Sequence, residues 1–171
     1  ETRVVMAGGS HGGFIAGNLL GMFPDRFKAG IMRNPVVNLV YNVSASDIPT
    51  STELNSCGIT TGNGFAGDDG IWQGIGRREA GVRLTEEKLQ KMYRASPISR
   101  VGKVQAPTII IIGLKDTRVT NHQGQEFYYN LKSRNIPCKI LAYDDPHAIT
   151  QVHFDYDAWM NISLWLEEFV G

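Results

Sequence analysis

The stretch from Val4 to Leu20, VVMAGGSHGGFIAGNLL, sets one serine among four glycines. An apolar run precedes these small residues and a helix-like pattern follows them, which predicts a strand, a tight turn and a helix in immediate succession. Each glycine costs backbone entropy when the chain folds. Four of them around Ser10 therefore indicate a turn in which side chains would obstruct the approach of helix to strand. The four glycines are Gly8, Gly9, Gly12 and Gly13.

The rest of the chain alternates strand-like and helix-like segments. Predicted strands cover residues 3–7, 27–32, 108–113 and 139–143. Predicted helices cover residues 12–23, 84–95 and 120–134, and a last helix follows near the end of the chain. The first is expected to bury Ile15, Leu19 and Phe23, and the third to begin with a capping box at Thr120 to Gln123. The last is expected to bury Trp159, Ile162, Leu166 and Phe169. Short apolar strands alternating with helices are typical of an α/β fold with a parallel sheet.

Composition and charge limit the kinds of partner. The chain has 171 residues, 42% of them hydrophobic, which suits a single core. Basic and acidic residues number 17 each, so neither nucleic acid nor an anionic membrane is an expected partner. Only two cysteines occur, without a Cys-x-x-Cys pair, which favours a reducing, cytoplasmic compartment over a disulfide-linked or zinc-binding protein.

One long segment interrupts the alternation. Residues 38–81 are rich in glycine, serine, threonine and aspartate, a composition typical of an excursion over a scaffold. Together with the helix predicted at 84–95, this segment predicts a lid-like insertion over about 38–95. Because the chain opens on Glu1 and runs almost directly into a strand, we expect it to be part of a longer protein.

Ser10 is a candidate nucleophile. Gly8, Ser10 and Gly12 form the pattern G-x-S-x-G, which indicates a nucleophilic serine where it follows a strand and opens a helix. The backbone N–H of His11, at the helix N-terminus, would then face the oxyanion formed during acyl transfer. A Walker A loop is excluded, because Phe14 stands where that motif needs lysine. The alternative is a glycine-rich turn that only packs tightly or binds phosphate.

A serine nucleophile needs a base and an acid. In the α/β-hydrolase order the acid follows the serine, and the histidine comes last. His147 lies in the loop after the last predicted strand, whereas His11 adjoins the serine and His122 and His153 lie near helix starts. Asp116 directly follows the buried strand TIIIIG, and the aspartates next to His147 are too close in sequence to face its ring. The predicted triad is Ser10, Asp116 and His147.

Two further patterns do not predict a site. Residues 62–67 match G-x-G-x-x-G but follow no strand and open no helix, so no nucleotide site is expected. The histidines and aspartates between 147 and 157 match no metal-ligand spacing, and the aspartates at 68–69 lack the ligand pattern of a calcium loop. We therefore predict neither a metal nor a cofactor.

Five segments together resemble one known family. They are similar to the C-terminal catalytic part of acylaminoacyl-peptidases (acyl-peptide hydrolases), in the prolyl oligopeptidase family. Ser-His-Gly-Gly in place of the usual Ser-Tyr-Gly-Gly, together with Arg33-Asn34-Pro35, points to the acylaminoacyl branch. The segments are GGSHGGF, RNPVVN, GLKDTRV, NHQGQEFYYNLKSRNIP and PHAITQVHFDYDAWMNISLWL.

The resemblance implies the C-terminal portion of an α/β-hydrolase fold, a mostly parallel sheet flanked by helices, with residues 1–171 as part of one catalytic domain. It implies a serine peptidase that releases an N-acylated amino acid from the blocked end of a short peptide through an acyl-enzyme. Ser10, Asp116 and His147 match the family's triad, and Arg118 in the D-x-R-V motif would have a structural or site-shaping role. The expected partner is a short N-acylated peptide, and a homo-oligomer of the full-length protein is left open.

The resemblance also leaves alternatives. The same triad serves an esterase or a prolyl-specific peptidase, and a non-catalytic hydrolase-like module would bind a partner through a sheet edge. The glycine-rich residues 44–94 look longer than the family's usual connection, which leaves substrate preference open. Compared with that family, we expect this segment to be without the β-propeller, the first hydrolase strands and the upstream loop that completes the oxyanion hole. We therefore expect this segment alone to be poorly active or inactive.

Overall fold

Four strands form one parallel sheet in the computed structural model, which describes residues 3–48 and 85–171. The strands lie side by side in sequence order, and each pairs in parallel with the next. All carboxyl ends therefore lie at the same edge of the sheet. The strands are β1 (Val5–Gly9), β2 (Ala29–Arg33), β3 (Thr108–Gly113) and β4 (Cys138–Tyr143).

Helices cover both faces of this sheet. They are α1 (His11–Met22), α2 (Leu39–Ala45), α3 (Glu86–Ala95), α4 (Asn121–Ser133) and α5 (Val152–Val170), with a 3₁₀ segment at Pro97–Lys103. On one face, Leu20 of α1 and Phe127 of α4 belong to a single buried cluster. On the other face, α5 packs through Ile162 and Trp165. Within the described ranges, no helix has the length and apolar character needed to cross a bilayer.

Strand β3 shows why both faces must be covered. Every residue of Thr108–Gly113 is buried. Ile110 and Ile112 lie in the cluster shared with α1 and α4, whereas Ile109 and Ile111 lie in the clusters that contain α5 residues. Successive strand residues point to opposite faces, so this isoleucine run is stable only between two layers of helices. The predicted α/β fold and the predicted strand 108–113 are confirmed.

Helix α1 packs through small residues, which contradicts the predicted apolar face. Ile15 and Phe23 are 48% and 45% exposed. A Cβ at Gly17 would lie 2.8 Å from the Cβ of Pro97, so the 3₁₀ segment approaches α1 too closely for a larger side chain. The buried positions of α1 are Gly13, Ala16, Gly17, Leu20 and Gly21.

The capping box predicted at the start of α4 is wrong. Thr120 precedes the helix, but its buried Oγ1 has no hydrogen-bond partner among the described residues. The Gln123 side chain turns instead to the segment after β2, where its Oε1 accepts hydrogen bonds from the backbone N–H groups of Val37 and Asn38, both at 2.9 Å. The Gln123 side chain therefore forms long-range hydrogen bonds and not the local bond of a capping box.

The predicted burial of Trp159 is also wrong. Its side chain is 57% exposed, whereas Trp165 is buried. The buried face of α5 follows Ala158, Ile162 and Trp165, at helical spacings of four and three. Trp159 lies about 100° around the helix from Ala158 and so leaves that face.

Most of the predicted insertion lies outside the described residues, at 49–84, as does the glycine-rich motif at 62–67. The lid-like insertion over 38–95 therefore stays a prediction. Its described ends are α2 and α3, which meet in a buried cluster of Val36, Leu39, Val43, Met92 and Val119. Both ends are thus anchored on the core beside the carboxyl ends of β2 and β3.

Candidate active site

Ser10 lies in the turn between β1 and α1. Its φ of 56° and ψ of −121° fall in a region that residues other than glycine rarely adopt, at a cost of about 1–3 kcal/mol. Its backbone N–H donates to the Arg33 carbonyl at 2.9 Å, and its carbonyl accepts from the N–H groups of Phe14 and Val36 at 3.2 Å. These bonds hold a strained conformation that directs Ser10 Oγ toward the loop after β4.

Two of the four glycines have a clear steric role in this turn. A Cβ at Gly8 would overlap the backbone carbonyl of Gly12, and a Cβ at Gly13 would lie 2.6 Å from the Cβ of Pro35. A Cβ at Gly9 would be tight against the Arg33 carbonyl, at 3.3 Å. Apart from its chain neighbours and the nearby backbone of its own helix, no described heavy atom lies within 4 Å of a Cβ at Gly12, so the steric role predicted for that glycine is wrong.

Gly8→Ala is expected to destabilise the protein by about 3 kcal/mol, because the overlap is with backbone that cannot move without disturbing Ser10. Gly12→Ala in the same turn is the matched control, and it should leave stability unchanged or raise it slightly, since alanine is the better helix former. Urea unfolding of both variants measures the difference. An equal loss in both would contradict this account of the turn.

Ser10, His147 and Asp116 form one hydrogen-bonded chain. His147 Nε2 lies 2.9 Å from Ser10 Oγ, and His147 Nδ1 lies 2.6 Å from Asp116 Oδ2. The Asp116 side chain is fully buried and the His147 side chain is 26% exposed. Ser10 follows β1, Asp116 follows β3 and His147 follows β4, so the carboxyl edge of the sheet brings together three residues that are distant in sequence.

The carboxylate of Asp116 is oriented by its own loop. Its Oδ1 accepts hydrogen bonds from the backbone N–H groups of Arg118 and Val119, both at 2.9 Å. Both donors engage the same oxygen, which leaves Oδ2 for His147. The buried acid therefore has defined partners at both oxygens.

Arg118 contributes its backbone to the acid and turns its side chain away. Its guanidinium pairs with the Asp47 carboxylate, with Nε 3.3 Å from Oδ1, and the backbone N–H of Asp47 donates to the Thr117 carbonyl at 2.9 Å. Asp47 lies just after α2, so this pair joins the start of the predicted insertion to the loop that carries Asp116. The Arg118 side chain is exposed beside the candidate site.

The other histidines occupy different places. The ring of His11 stacks on Phe14 with centroids 5.3 Å apart, and the exposed His122 lies 6.1 Å from the ring of Tyr41. The exposed His153 lies against Phe154 in α5. His147, by contrast, contacts both the Ser10 hydroxyl and the Asp116 carboxylate.

Two groups with shifted pKa values support the loop that carries His147. The Asp145 carboxylate accepts a hydrogen bond from the Gln151 backbone N–H at 3.0 Å, and this bond lowers the pKa of Asp145. Burial raises the pKa of Tyr143, whose hydroxyl also donates to the Asp157 carboxylate at 2.6 Å. Asp145 thus closes the loop on the start of α5 and is engaged away from the His147 ring.

Arg33 and Asn34 are further candidate site residues, which the sequence pattern alone did not predict. Both lie at the carboxyl end of β2, between the strands that lead to Ser10 and Asp116. The available signal was a charged and an amide side chain between a buried strand and Pro35. Such polar residues at the carboxyl edge of a parallel sheet face the place where sites form.

The assembled groups suit acyl transfer. An imidazole between a serine hydroxyl and a buried carboxylate can take and return a proton without a cofactor. In the described part of the chain, no three His, Cys, Asp or Glu side chains are grouped so that they could hold a metal ion.

One family model matches almost the whole chain. The model of the prolyl oligopeptidase family covers residues 1–68 and 72–171. The chain belongs to the prolyl oligopeptidase family. The family suggested by the five segments is thereby confirmed.

Relatives of this prolyl oligopeptidase family member include longer enzymes. The acylamino-acid-releasing enzyme of Mus musculus is 36% identical over 170 residues, which cover 99% of this chain and 21% of that protein. The enzyme of the same name from Arabidopsis thaliana is 31% identical over 98% of this chain and 20% of that protein. The chain therefore spans about a fifth of the length of these curated relatives.

A solved structure shows the fold independently. The acylaminoacyl peptidase of Pyrococcus horikoshii superposes with a TM-score of 0.74 at 20% identity, over 98% of this chain and 24% of that chain. The parallel sheet flanked by helices is therefore part of an α/β-hydrolase fold.

Proposed function

We propose that this chain is the triad-bearing part of a serine peptidase that releases an N-acylated amino acid from the blocked N-terminus of a short peptide. The observation that carries the proposal is the hydrogen-bonded chain from Ser10 through His147 to Asp116. Acylamino-acid-releasing enzymes from an animal and a plant align over nearly all of this chain. This similarity supports N-acylated peptides over other substrates of acyl transfer.

In the proposed reaction, Ser10 Oγ attacks the carbonyl carbon of the N-acylated first residue, in the peptide bond that joins this residue to the second. His147 Nε2 takes the hydroxyl proton during attack and returns it to the leaving amine, so that an acyl-enzyme forms and water later releases the product. Asp116 Oδ2 accepts a hydrogen bond from the Nδ1–H of His147, which keeps Nε2 available as the base. Proton transfer of this kind contributes about 10²–10⁴-fold to rate.

The backbone N–H of His11 is our candidate donor to the oxyanion. His11 is the first residue of α1, where the helix dipole favours negative charge. One such donor contributes about 10²–10³-fold to kcat. We assign Arg118 a site-shaping role, because its backbone orients Asp116 while its side chain joins Asp47 beside the predicted insertion.

We propose a short N-acylated peptide as the substrate, with neither nucleic acid nor a membrane as a partner. The balance of 17 basic and 17 acidic residues favours neither nucleic acid nor a membrane surface. Two cysteines without a paired spacing favour a cytoplasmic location. A homo-oligomer of the complete protein is compatible with this assignment.

Hydrolysis of matched chromogenic substrates tests the substrate class. For the intact protein, we expect kcat/KM for acetyl-alanyl p-nitroanilide to exceed that for unblocked alanyl p-nitroanilide by at least about tenfold, the discrimination that one recognised group supplies. A benzyloxycarbonyl-glycyl-prolyl anilide and a p-nitrophenyl ester serve as comparison substrates. Preference for the prolyl anilide would indicate a prolyl-specific peptidase, and turnover of the ester alone would indicate an esterase.

A further inference from the structure

We propose that Arg33 and Asn34, at the end of β2, are positioning residues. They hold the loops that carry Ser10, Asp116 and His147 in a fixed position relative to one another. The inference rests on the proposed function and adds residues that touch none of the reacting atoms. Strand β2 lies between β1 and β3, so its carboxyl end faces the Ser10 turn on one side and the Asp116 loop on the other.

The side chain of Asn34 joins the loop that carries Asp116 (the acid loop) to the loop that carries His147 (the base loop). Its Oδ1 accepts a hydrogen bond from the Gly113 backbone N–H at 2.7 Å, at the start of the loop that carries Asp116. Its Nδ2 donates to the backbone carbonyl of His147 at 2.6 Å. Asn34 is only 2% exposed, so these two bonds form away from competing water.

Arg33 joins the serine turn to the far side of the base loop. Its backbone carbonyl accepts from the Ser10 N–H at 2.9 Å. One terminal nitrogen of its guanidinium donates to the carbonyls of Ala148 and Ile149, both at 2.9 Å, and the other pairs with Asp155 of α5 at 2.9 Å. A single planar fork therefore fixes two successive carbonyls and a carboxylate, which a lysine ammonium cannot match.

Backbone strain is concentrated where these contacts act. Asn34 has a φ of 42° and Ile149 a φ of 48°. Asparagine accepts left-handed backbone more readily than most residues, but the same conformation is an outlier for a β-branched residue such as isoleucine. Such conformations persist where surrounding contacts over-determine them. The bonds from Asn34 and Arg33 supply that constraint on either side of His147.

The consequence is a fixed distance between His147 Nε2 and Ser10 Oγ. Both residues lie on connecting segments, whose relative position neither β1 nor β4 alone determines, because β2 and β3 lie between them. A displacement of about 1 Å at a reacting pair costs about 10²-fold in rate. Arg33 and Asn34 contact the segments on both sides of this pair and so oppose that displacement.

Asn34→Gly in the intact protein tests the role, because glycine adopts a φ of 42° freely and removes both side-chain bonds without burying a charge. We expect kcat on acetyl-alanyl p-nitroanilide to fall about 10²-fold with little change in KM, since alignment and not binding is lost. Asn135→Gly is the matched control, because Asn135 is exposed and also left-handed, with a φ of 58°.

Arg33→Lys is a second, milder test that decides the matter if Asn34→Gly unfolds below the assay temperature. We expect about a tenfold fall in kcat, again with KM unchanged. Arg134→Lys is its control, because Arg134 also donates to a backbone carbonyl, that of Val101 at 2.6 Å, but outside the triad loops. Thermal unfolding of each variant separates misalignment from loss of fold.

Two results would overturn the inference alone: both variants keep kcat within about threefold of wild type, or the controls lose as much as the variants. A wild-type protein that neither hydrolyses the substrate nor reacts with a fluorophosphonate at Ser10 would remove the proposed function, and the positioning role with it. Loss of kcat in Asn34→Gly and Arg33→Lys, with active controls, supports the inference.

Discussion

Replacing Ser10 with alanine is expected to lower kcat of the intact protein by about 10⁶-fold, the loss typical of removing a serine nucleophile. The hydroxyl is the group that His147 Nε2 faces at 2.9 Å, so the variant leaves the imidazole with no proton to take. Covalent labelling by a fluorophosphonate should disappear as well, because the probe reacts at the activated hydroxyl. Steady-state hydrolysis and in-gel fluorescence measure the two effects.

Ser133→Ala is the matched control for this loss. Ser133 is an exposed serine at the end of α4 whose hydroxyl donates to the Asn130 carbonyl. Its removal should leave both labelling and turnover unchanged. Labelling that persists in Ser10→Ala would assign the nucleophile to another residue, and a wild-type protein that resists the probe would favour a non-catalytic binding module.

The neighbourhood of Ser10, Asp116 and His147 could be predicted because it follows from topology. Each residue comes directly after a predicted strand, and the carboxyl ends of parallel strands share one edge of the sheet. Given the strand order, their proximity needs no knowledge of side-chain packing. Their catalytic roles stay predictions until the variants are measured.

The packing face of α1 could not be predicted from apolar periodicity. The pattern selects Ile15 and Phe23, but the buried face is formed by three glycines together with Ala16 and Leu20. Close approach to Pro97 decides which residues fit, and the distance between two elements is not a property of either sequence segment. Strand β3 is the opposite case, because four consecutive isoleucines are compatible with a core position on both faces.

Two buried amide side chains were missed for a related reason. The Oε1 atom of Gln123 accepts from Val37, which is 86 residues away, and Asn34 donates to His147, which is 113 residues away. Local rules assign an amide beside a helix start or a proline to capping or to a turn. In the folded chain, these side chains form hydrogen bonds with backbone groups of distant loops and not with their sequence neighbours. The sequence alone does not show which distant groups come within reach.

Asp116→Asn is expected to lower kcat by about 10⁴-fold while leaving the fold intact. The backbone N–H groups of Arg118 and Val119 require an acceptor at the Oδ1 position, so the asparagine oxygen stays there and its NH₂ group faces His147. Nδ1 of His147 must then accept a hydrogen bond, and the ring proton moves to Nε2. An imidazole protonated at Nε2 cannot take the Ser10 proton. Turnover of acetyl-alanyl p-nitroanilide and the unfolding temperature are the measurements.

Asp144→Asn is the control that separates this tautomer effect from a general loss of charge near the site. Asp144 lies in the loop of His147, but it is exposed and pairs with Lys115 at 2.8 Å. Surface pairs of this kind contribute about 0–1 kcal/mol, so its loss should leave kcat within about twofold of wild type. If Asp116→Asn instead kept kcat within about tenfold, the buried carboxylate would not orient the base, and its contact with His147 would be structural.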